Sequence, residues 1–379
     1  MQLTEQQEAI RATARAFAEA EIVPHAARWD RDKHIPLDVM ARMGALGLFG
    51  VCVPERWGGA GADFVSYVLA MEEICRGDAG VGNMMAATNS PYCAALLAFG
   101  NDDQKARWLQ PAASGAAIGA FLLTEAEAGS DAANLKTRAE RRGDAYVING
   151  SKCFITAGRS AGVAMVLAVT DPAAGKRGIS CFLTRPGARG YEVTRLEDKL
   201  GHRSNDTCTI ELHDLVVPVE DRLGAEGEGL RIALSGLDNG RIGVAAQSVG
   251  VAQAAVDAAL GYARDRRTFG KPILEHQAVA FLLADMATKI ETARQMYLYA
   301  ARLKDQGVAC IKQASMAKLF ASQMAEEVTS AAIQIHGGYG FLNAYPVEKY
   351  YRDARVFQIY DGTNEVQRLL IARELAAGR

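Results

Sequence analysis

Apolar residues recur at three- and four-residue spacing through most of residues 1–115. The stretch is Ala-rich, broken by turn clusters such as PERWGGAGAD and closed near PAASG, and it predicts an all-helical N-terminal domain. Between 116 and 228 the texture changes. The runs AYVINGSKCFIT, GVAMVLAVT, GISCFLTR, YEVTRL and CTIELHDLVVP are short, rich in β-branched residues and separated by Gly, Pro and Asp. They predict a small antiparallel β-domain, a barrel or sandwich. Within it, Asn149-Gly150 reads as the turn of a hairpin, because that pair tolerates positive φ. Segments 229–264, 273–305 and 309–336 return to helical spacing over many turns, and the last ends at HGG, a glycine helix stop. A final helix is expected from near Thr363. The chain is therefore read as an α+β protein of three domains: helical 1–115, β 116–228, and a four-helix-bundle-like domain 229–379.

Length fits that division, since 379 residues exceed one ordinary domain about two- to threefold. Lys plus Arg number 42 against 44 Asp plus Glu, a net charge of -2. Such a balance gives no strong field to draw the protein to nucleic acid or anionic lipid, so small molecules and other proteins are the expected partners. Seven scattered cysteines without a Cys-x-x-Cys pair point to reduced thiols rather than a disulfide framework or a zinc site, and no metal is expected. The first residues mix glutamates with arginines and have no continuous apolar core, which fits a first helix better than a signal or transit peptide. No apolar run approaches the roughly 20 residues needed to span a bilayer, so no membrane association and a cytoplasmic location are expected.

Generic nucleotide and metal motifs are absent: there is no G-x-G-x-x-G, P-loop or H-E-x-x-H. GRSAG at 158–162 matches G-x-S-x-G, but strand-like runs flank it on both sides, whereas a nucleophile elbow needs a strand before and a helix after. It reads as a β-connection. What remains is a set of polar stretches at predicted loops and helix ends: FLLTEAEAGSD (121–131), SKCFITAG (151–158), LDNGRIG (237–243), RDRRTFGKPILEHQ (264–277), QIHGGYGF (334–341) and IYDGTNE (359–365). Singly, each has an ordinary structural reading. Gly129-Ser130-Asp131 serves as a capped turn, Arg266 as a solvated helix end, Asp238 and Arg241 as an exposed i,i+3 pair, and Asp361 as an acidic helix-entry residue.

Taken together, in this order and on an α-β-α chain, these stretches resemble the acyl-CoA dehydrogenase family over essentially the whole sequence. The resemblance implies an FAD enzyme with the cofactor between the β-domain and the C-terminal bundle and an acyl-CoA thioester lying against the flavin. Phe121, Leu123, Thr124, Gly129 and Ser130 match the segment that meets the flavin's pyrimidine edge, and Ser130 also reaches the substrate. Donors there suit a ring that gains negative charge on reduction. Phe154 and Thr156 match the aromatic and threonine behind the flavin, with Phe154 standing where many members carry Trp. Arg266 matches the partner of the FAD diphosphate, where a planar, permanently charged fork is apt. Phe269 and Gln277 are implied to touch FAD as well. Gln334, Gly337 and Gly338 match contacts made by a neighbouring subunit, which implies a homotetramer. Thr363 and Glu365 fall at the FAD side of the last helix. Asp238 and Arg241 correspond to residues near CoA, with Tyr360 and Gly362 beside the thioester.

Removing hydrogen from Cα and Cβ of an acyl-CoA requires a base near the α-carbon. Asp361 matches the place where much of the family carries a catalytic Glu, one carbon longer. The other position used for a base in some branches is Gly240 here, and glycine cannot abstract a proton. The shorter acid suggests an alicyclic, short or branched acyl group, and the family resemblance implies re-oxidation by an electron-transfer flavoprotein. The rival readings are an oxidase on the same fold using O2, for an acyl-CoA or a nitroalkane, and a non-catalytic flavin-binding or assembly relative.

Overall fold

A capping box starts the fold: the Thr4 hydroxyl accepts from the Gln7 amide and the Gln7 side chain accepts from the Thr4 amide. The computed structural model describes residues 2–378. Helix α1 (Glu5–Phe17) is followed by α2 (Val23–Asp32), α3 (Leu37–Ala45), α4 (Phe64–Gly77), α5 (Ala79–Ala87), α6 (Ala94–Phe99), α7 (Asp102–Gln104) and α8 (Gln110–Ala113). The expected helical N-terminal region is present. Helix α4 is buried on nearly every side, so its first-turn amides need partners. Asp63 accepts from the Ser66 amide at 2.8 Å, and the distant Asp305 accepts from Phe64 and Val65 at 2.7 and 3.0 Å.

The middle region contains strands β1 (Gly119–Leu122), β2 (Arg138–Arg142), β3 (Ala145–Thr156), β4 (Val163–Val169), β5 (Ile179–Thr184), β6 (Tyr191–Leu196), β7 (Thr207–Pro218) and β8 (Arg222–Leu223). Their order is β6-β7-β3-β2-β4-β5-β8, with β1 beside β4. Most neighbours are antiparallel as expected. The β1–β4 pair and the Arg138–Val169 contact of β2 with β4 are parallel, so the sheet is mixed. The chain between β1 and β4 contains the whole β2–β3 hairpin, a connection long enough for parallel pairing.

Asn149-Gly150 is not a turn. Strand β3 runs through it, and the register against β7 shifts between Ile148 and Gly150, which marks a bulge. The Asn149 side chain bridges to Asp214 there, and an added Cβ at Gly150, where φ is +155°, would lie 2.4 Å from the Thr137 hydroxyl. The turn of the β2–β3 hairpin lies at Gly143-Asp144. The same conformational freedom that suits a turn also suits a bulge, and sequence cannot separate them. GRSAG does connect β3 to β4.

The C-terminal region holds α9 (Gly229–Asp265), the small β9 (Arg267–Thr268) and β10 (Lys271–Pro272) ribbon, α10 (Gln277–Asp305), α11 (Ile311–His336), α12 (Val347–Ala354) and α13 (Asn364–Ala376). The 37-residue α9 is the central post, packed on α11, α10 and α4. It carries an 18-residue window apolar and long enough to cross a membrane by composition, and 83% of that window is buried in the fold. The expectation that no run comes near that length underestimated this helix. Helix α12 was not expected, because its burial rests on charge rather than apolar spacing. Lys349 pairs with Asp353 at 2.6 Å and with Asp78 at 2.7 Å, and Asp353 accepts from the His202 amide.

Candidate active site

Asp361 lies in the loop that leads into α13, half-buried and with φ +52°. A non-glycine residue in the left-handed region is uncommon and is retained where neighbours hold it. Gly362 follows at φ +87°. The Thr363 hydroxyl then caps α13 by accepting from Val366. On the other side, the Tyr360 hydroxyl donates to the side-chain amide oxygen of Gln247 on α9 at 2.7 Å. The acid is thus held at both flanks.

Its surroundings are uneven. Burial raises the Asp361 pKa above its ordinary 3.8, while Lys318 of α11 and Arg241 of α9 pull it back. Lys318 is fully buried and donates to the Gly362 carbonyl and to the Asn364 side-chain oxygen, both at 3.0 Å. Burial lowers its own pKa to about 8. Arg241 is 7% exposed and bonded to Asp238 at 2.6 Å. The Asp238–Arg241 pair is therefore an i,i+3 pair on α9 with its cation turned inward, not an exposed one. Gly240 faces the acid: a Cβ there would lie 2.8 Å from an Asp361 carboxylate oxygen. An acid with a raised pKa, two nearby cations and a gap left by glycine can receive and release a proton.

A second constellation sits on the sheet. Phe121 ends half-buried on β1, Leu123 is buried, and Gly129 and Ser130 are exposed. The loop is fixed beneath by a buried ion pair, Lys152 to Glu125 at 2.8 Å, whose carboxylate also accepts from the Lys136 and Thr137 amides. The Thr124 carbonyl accepts from the Cys153 amide. Phe154 has φ +60° and is 63% exposed, a large ring held out from the strand, and the Thr156 hydroxyl receives a bond from Asn83 of α5 at 3.3 Å.

The third constellation is a groove of about 390 Å³ lined by Arg266, Thr268, His336, Gly337, Gly338 and Tyr339 among others. Arg266 caps the end of α9 and lies 5.7 Å above the Tyr339 ring. No atom lies within 4 Å of a Cβ built on Gly337 or Gly338, so backbone there is open to close approach. Gln334 and Gln277 are exposed on α11 and at the start of α10, and Phe269 is 96% exposed. None of Phe121, Thr124, Phe154 or Thr156 lines this groove. Glu365 is exposed in the first turn of α13.

These surfaces fit FAD in kind: a guanidinium beside side-chain-free backbone for a diphosphate, and hydroxyls beside an exposed aromatic for a flavin ring. Among the described residues no group of three or more His, Cys, Asp or Glu side chains is arranged to hold a metal ion. Sequence reasoning missed Lys318, Asn83 and the Lys152–Glu125 pair. The one available signal for Lys318 was a lysine in phase with the apolar positions Ala314, Ala317 and Ala321.

Fold and site together define a flavin-dependent oxidoreductase. The sequence matches the N-terminal, middle and C-terminal domains described for acyl-CoA dehydrogenases over residues 4–116, 120–215 and 227–376. It is 44% identical to the human mitochondrial short-chain specific acyl-CoA dehydrogenase over 375 residues, 99% of this chain and 91% of the relative. Among solved structures, butyryl-CoA dehydrogenase from Megasphaera elsdenii matches with a TM-score of 0.97 and 40% identity over 99% of both chains. A chain from a structure described as "Electron transferring flavoprotein of Acidaminococcus fermentans: Towards a mechanism of flavin-based electron bifurcation" matches at 0.98 and 44% identity, again over 99% of both. The chain belongs to the acyl-CoA dehydrogenase family. It is an oxidoreductase with acyl-CoA dehydrogenase activity, and its cofactor is FAD.

Proposed function

We propose that Asp361 is the base that removes the α-proton of a short acyl-CoA thioester, giving the 2-enoyl-CoA. The observation that carries this is its setting: a half-buried carboxylate with a raised pKa, between Lys318 and Arg241 and facing the gap at Gly240. FAD, when bound, would supply the hydride acceptor that takes the β-hydrogen with its electron pair. The chain's own part is to hold substrate and base. Tyr360, Gly362 and Thr363 fix the loop, Ser130, Asp238 and Arg241 meet the substrate, and the exposed face of Phe154 with Thr124 and Thr156 positions the flavin ring. Arg266, Phe269, Gln277, Gln334, Gly337 and Gly338 form the diphosphate and adenosine end. Because that groove and the flavin-edge residues are separate sets on one chain, we assign the groove to the cofactor of a neighbouring subunit, in a homotetramer. Electrons then pass to an electron-transfer flavoprotein, in keeping with the similarity to the Acidaminococcus fermentans chain.

The short-chain relatives and a cavity of about 240 Å³ between Phe64, Tyr67, Ser90, Ala94, Leu97 and Asn239 support a small acyl group. The acid one carbon shorter than Glu, roughly 1.5 Å less reach, favours a ring or branch at the α-carbon. Anaerobic titration of the FAD enzyme with butyryl-, isobutyryl- and cyclohexanecarboxyl-CoA tests both parts. Flavin bleaching is expected with all three and fastest with the branched or cyclic thioester. Faster bleaching by butyryl-CoA counts against the ring or branch, and full bleaching in Asp361→Asn removes Asp361 as the base.

A further inference from the structure

The loop that carries Asp361 places two successive residues in the left-handed region, and only one of them is glycine. Something must hold that conformation. The Gly362 carbonyl accepts two bonds, one from the Lys318 ammonium at 3.0 Å and one from the Gln367 side-chain amide at 2.8 Å. The same ammonium reaches the Asn364 side-chain oxygen at 3.0 Å, which also accepts from Ser322 at 3.1 Å. Lys318 is fully buried, yet no carboxylate lies within ion-pairing distance of it among the described residues. A buried lysine is ordinarily paired, because desolvating an ammonium is expensive. Here it is spent on one backbone carbonyl and one amide oxygen in the segment next to the acid.

We propose that Lys318 is a positioning residue for the dehydrogenation. It clamps the Gly362 peptide, so that Asp361 is presented in its left-handed turn, and at neutral pH and below it supplies a positive charge near the carboxylate. The inference rests on the reading of Asp361 as the base. The charged and titratable groups around Asp361 come from each packed element: Arg241 on α9, Lys318 on α11, Tyr67 on α4, and Tyr360 and Glu365 on its own segment. Of these, Lys318 is the cation bonded to the adjoining peptide. Arg241 is engaged by Asp238.

Removing the charge takes away one of the influences that keep Asp361 ionised, so the acid must bind protons more tightly. Loss of the clamp lets the turn relax, and misplacing a base by part of an ångström slows proton transfer steeply. Substrate held by contacts elsewhere is less affected.

The test uses the FAD holoenzyme and the variants Lys318→Gln, which keeps a donor without charge, and Lys318→Met, which keeps neither. Rapid-mixing flavin reduction is followed from pH 5 to 9, together with acyl-CoA affinity and hydrogen exchange at the amides of residues 360–366 in protein with and without FAD. Lys318→Gln is expected to move the acid limb of the reduction rate to higher pH and slow reduction at least tenfold at pH 7, with acyl-CoA affinity within threefold. Exchange across the loop is expected to rise in Lys318→Met. Unchanged acid limb and rate in a folded, FAD-loaded Lys318→Gln overturn the proposal. Should Lys318→Met fail to fold, Lys318→Gln alone decides. Asp361→Asn run alongside separates the two readings: if it reduces fully, the base assignment falls and Lys318 falls with it, whereas its inactivity beside an unaltered Lys318→Gln removes Lys318 only.

Discussion

Gly240→Ala inserts one methyl group against the proposed base, and its two consequences have opposite signs. The new Cβ would stand 2.8 Å from an Asp361 carboxylate oxygen and 3.4 Å from its Cγ, and beyond its chain neighbours and the adjoining helix backbone it meets no other atom within 4 Å. Relief to ordinary contact at about 3.4 Å requires the carboxylate to retreat by about 0.6 Å. With a 1 Å misplacement costing on the order of a hundredfold, that retreat slows α-proton removal about tenfold, or about 1.4 kcal/mol in the barrier. Stability moves the other way. Position 240 lies inside α9, where Ala is favoured over Gly by about 0.8–1 kcal/mol, and the displaced atoms are the mobile end of a side chain rather than backbone. Stopped-flow flavin reduction and thermal unfolding read the two effects separately. A variant that reduces flavin at the original rate would show that the carboxylate's position is not limiting. A variant that unfolds at markedly lower temperature would show that the space is filled by something other than the acid.

Further outcomes follow from the same geometry. Asp361→Asn should lower flavin reduction by about 10²–10⁴-fold, the span of general-base contributions, while acyl-CoA still binds. Because burial raises the Asp361 pKa, activity should fail on acidification at a higher pH than an exposed aspartate would give, which a pH series of reduction rates reads directly. The sign for stability is the reverse: ionising an acid whose folded pKa is raised costs free energy above that pKa, so Asp361→Asn should melt no lower than the parent at pH 7. Arg266→Gln should leave the fold intact and lower FAD retention on gel filtration, since the groove loses its fixed cation. Lys152→Met leaves Glu125 charged and buried under the 121–130 loop, and should cost about 3–5 kcal/mol, measured by denaturant unfolding.

Local pattern carried most of the architecture. The long helices α9, α10 and α11, the strands, and the start of α13 at Thr363 all follow from spacing and punctuation, because a helix or strand that buries one face must repeat its apolar residues at its own period. The acid of YDGTN was visible too, through the motif around it. Other features depended on residues far apart in sequence. Asn149-Gly150 looked like a turn until its pairing with β7 made it a bulge, and α12 was hidden because its inward side chains include the charged Lys349 and Asp353, with Lys349 paired to both Asp353 and Asp78. Lys318 and Gly362 stand 44 residues apart and meet only through the packing of α11 against α13. Sequence determined which residues could form each element and which acid was available. Tertiary structure alone decided that acid's ionisation, its conformation and the room beside it, because electric fields and excluded volume are set by neighbours in space.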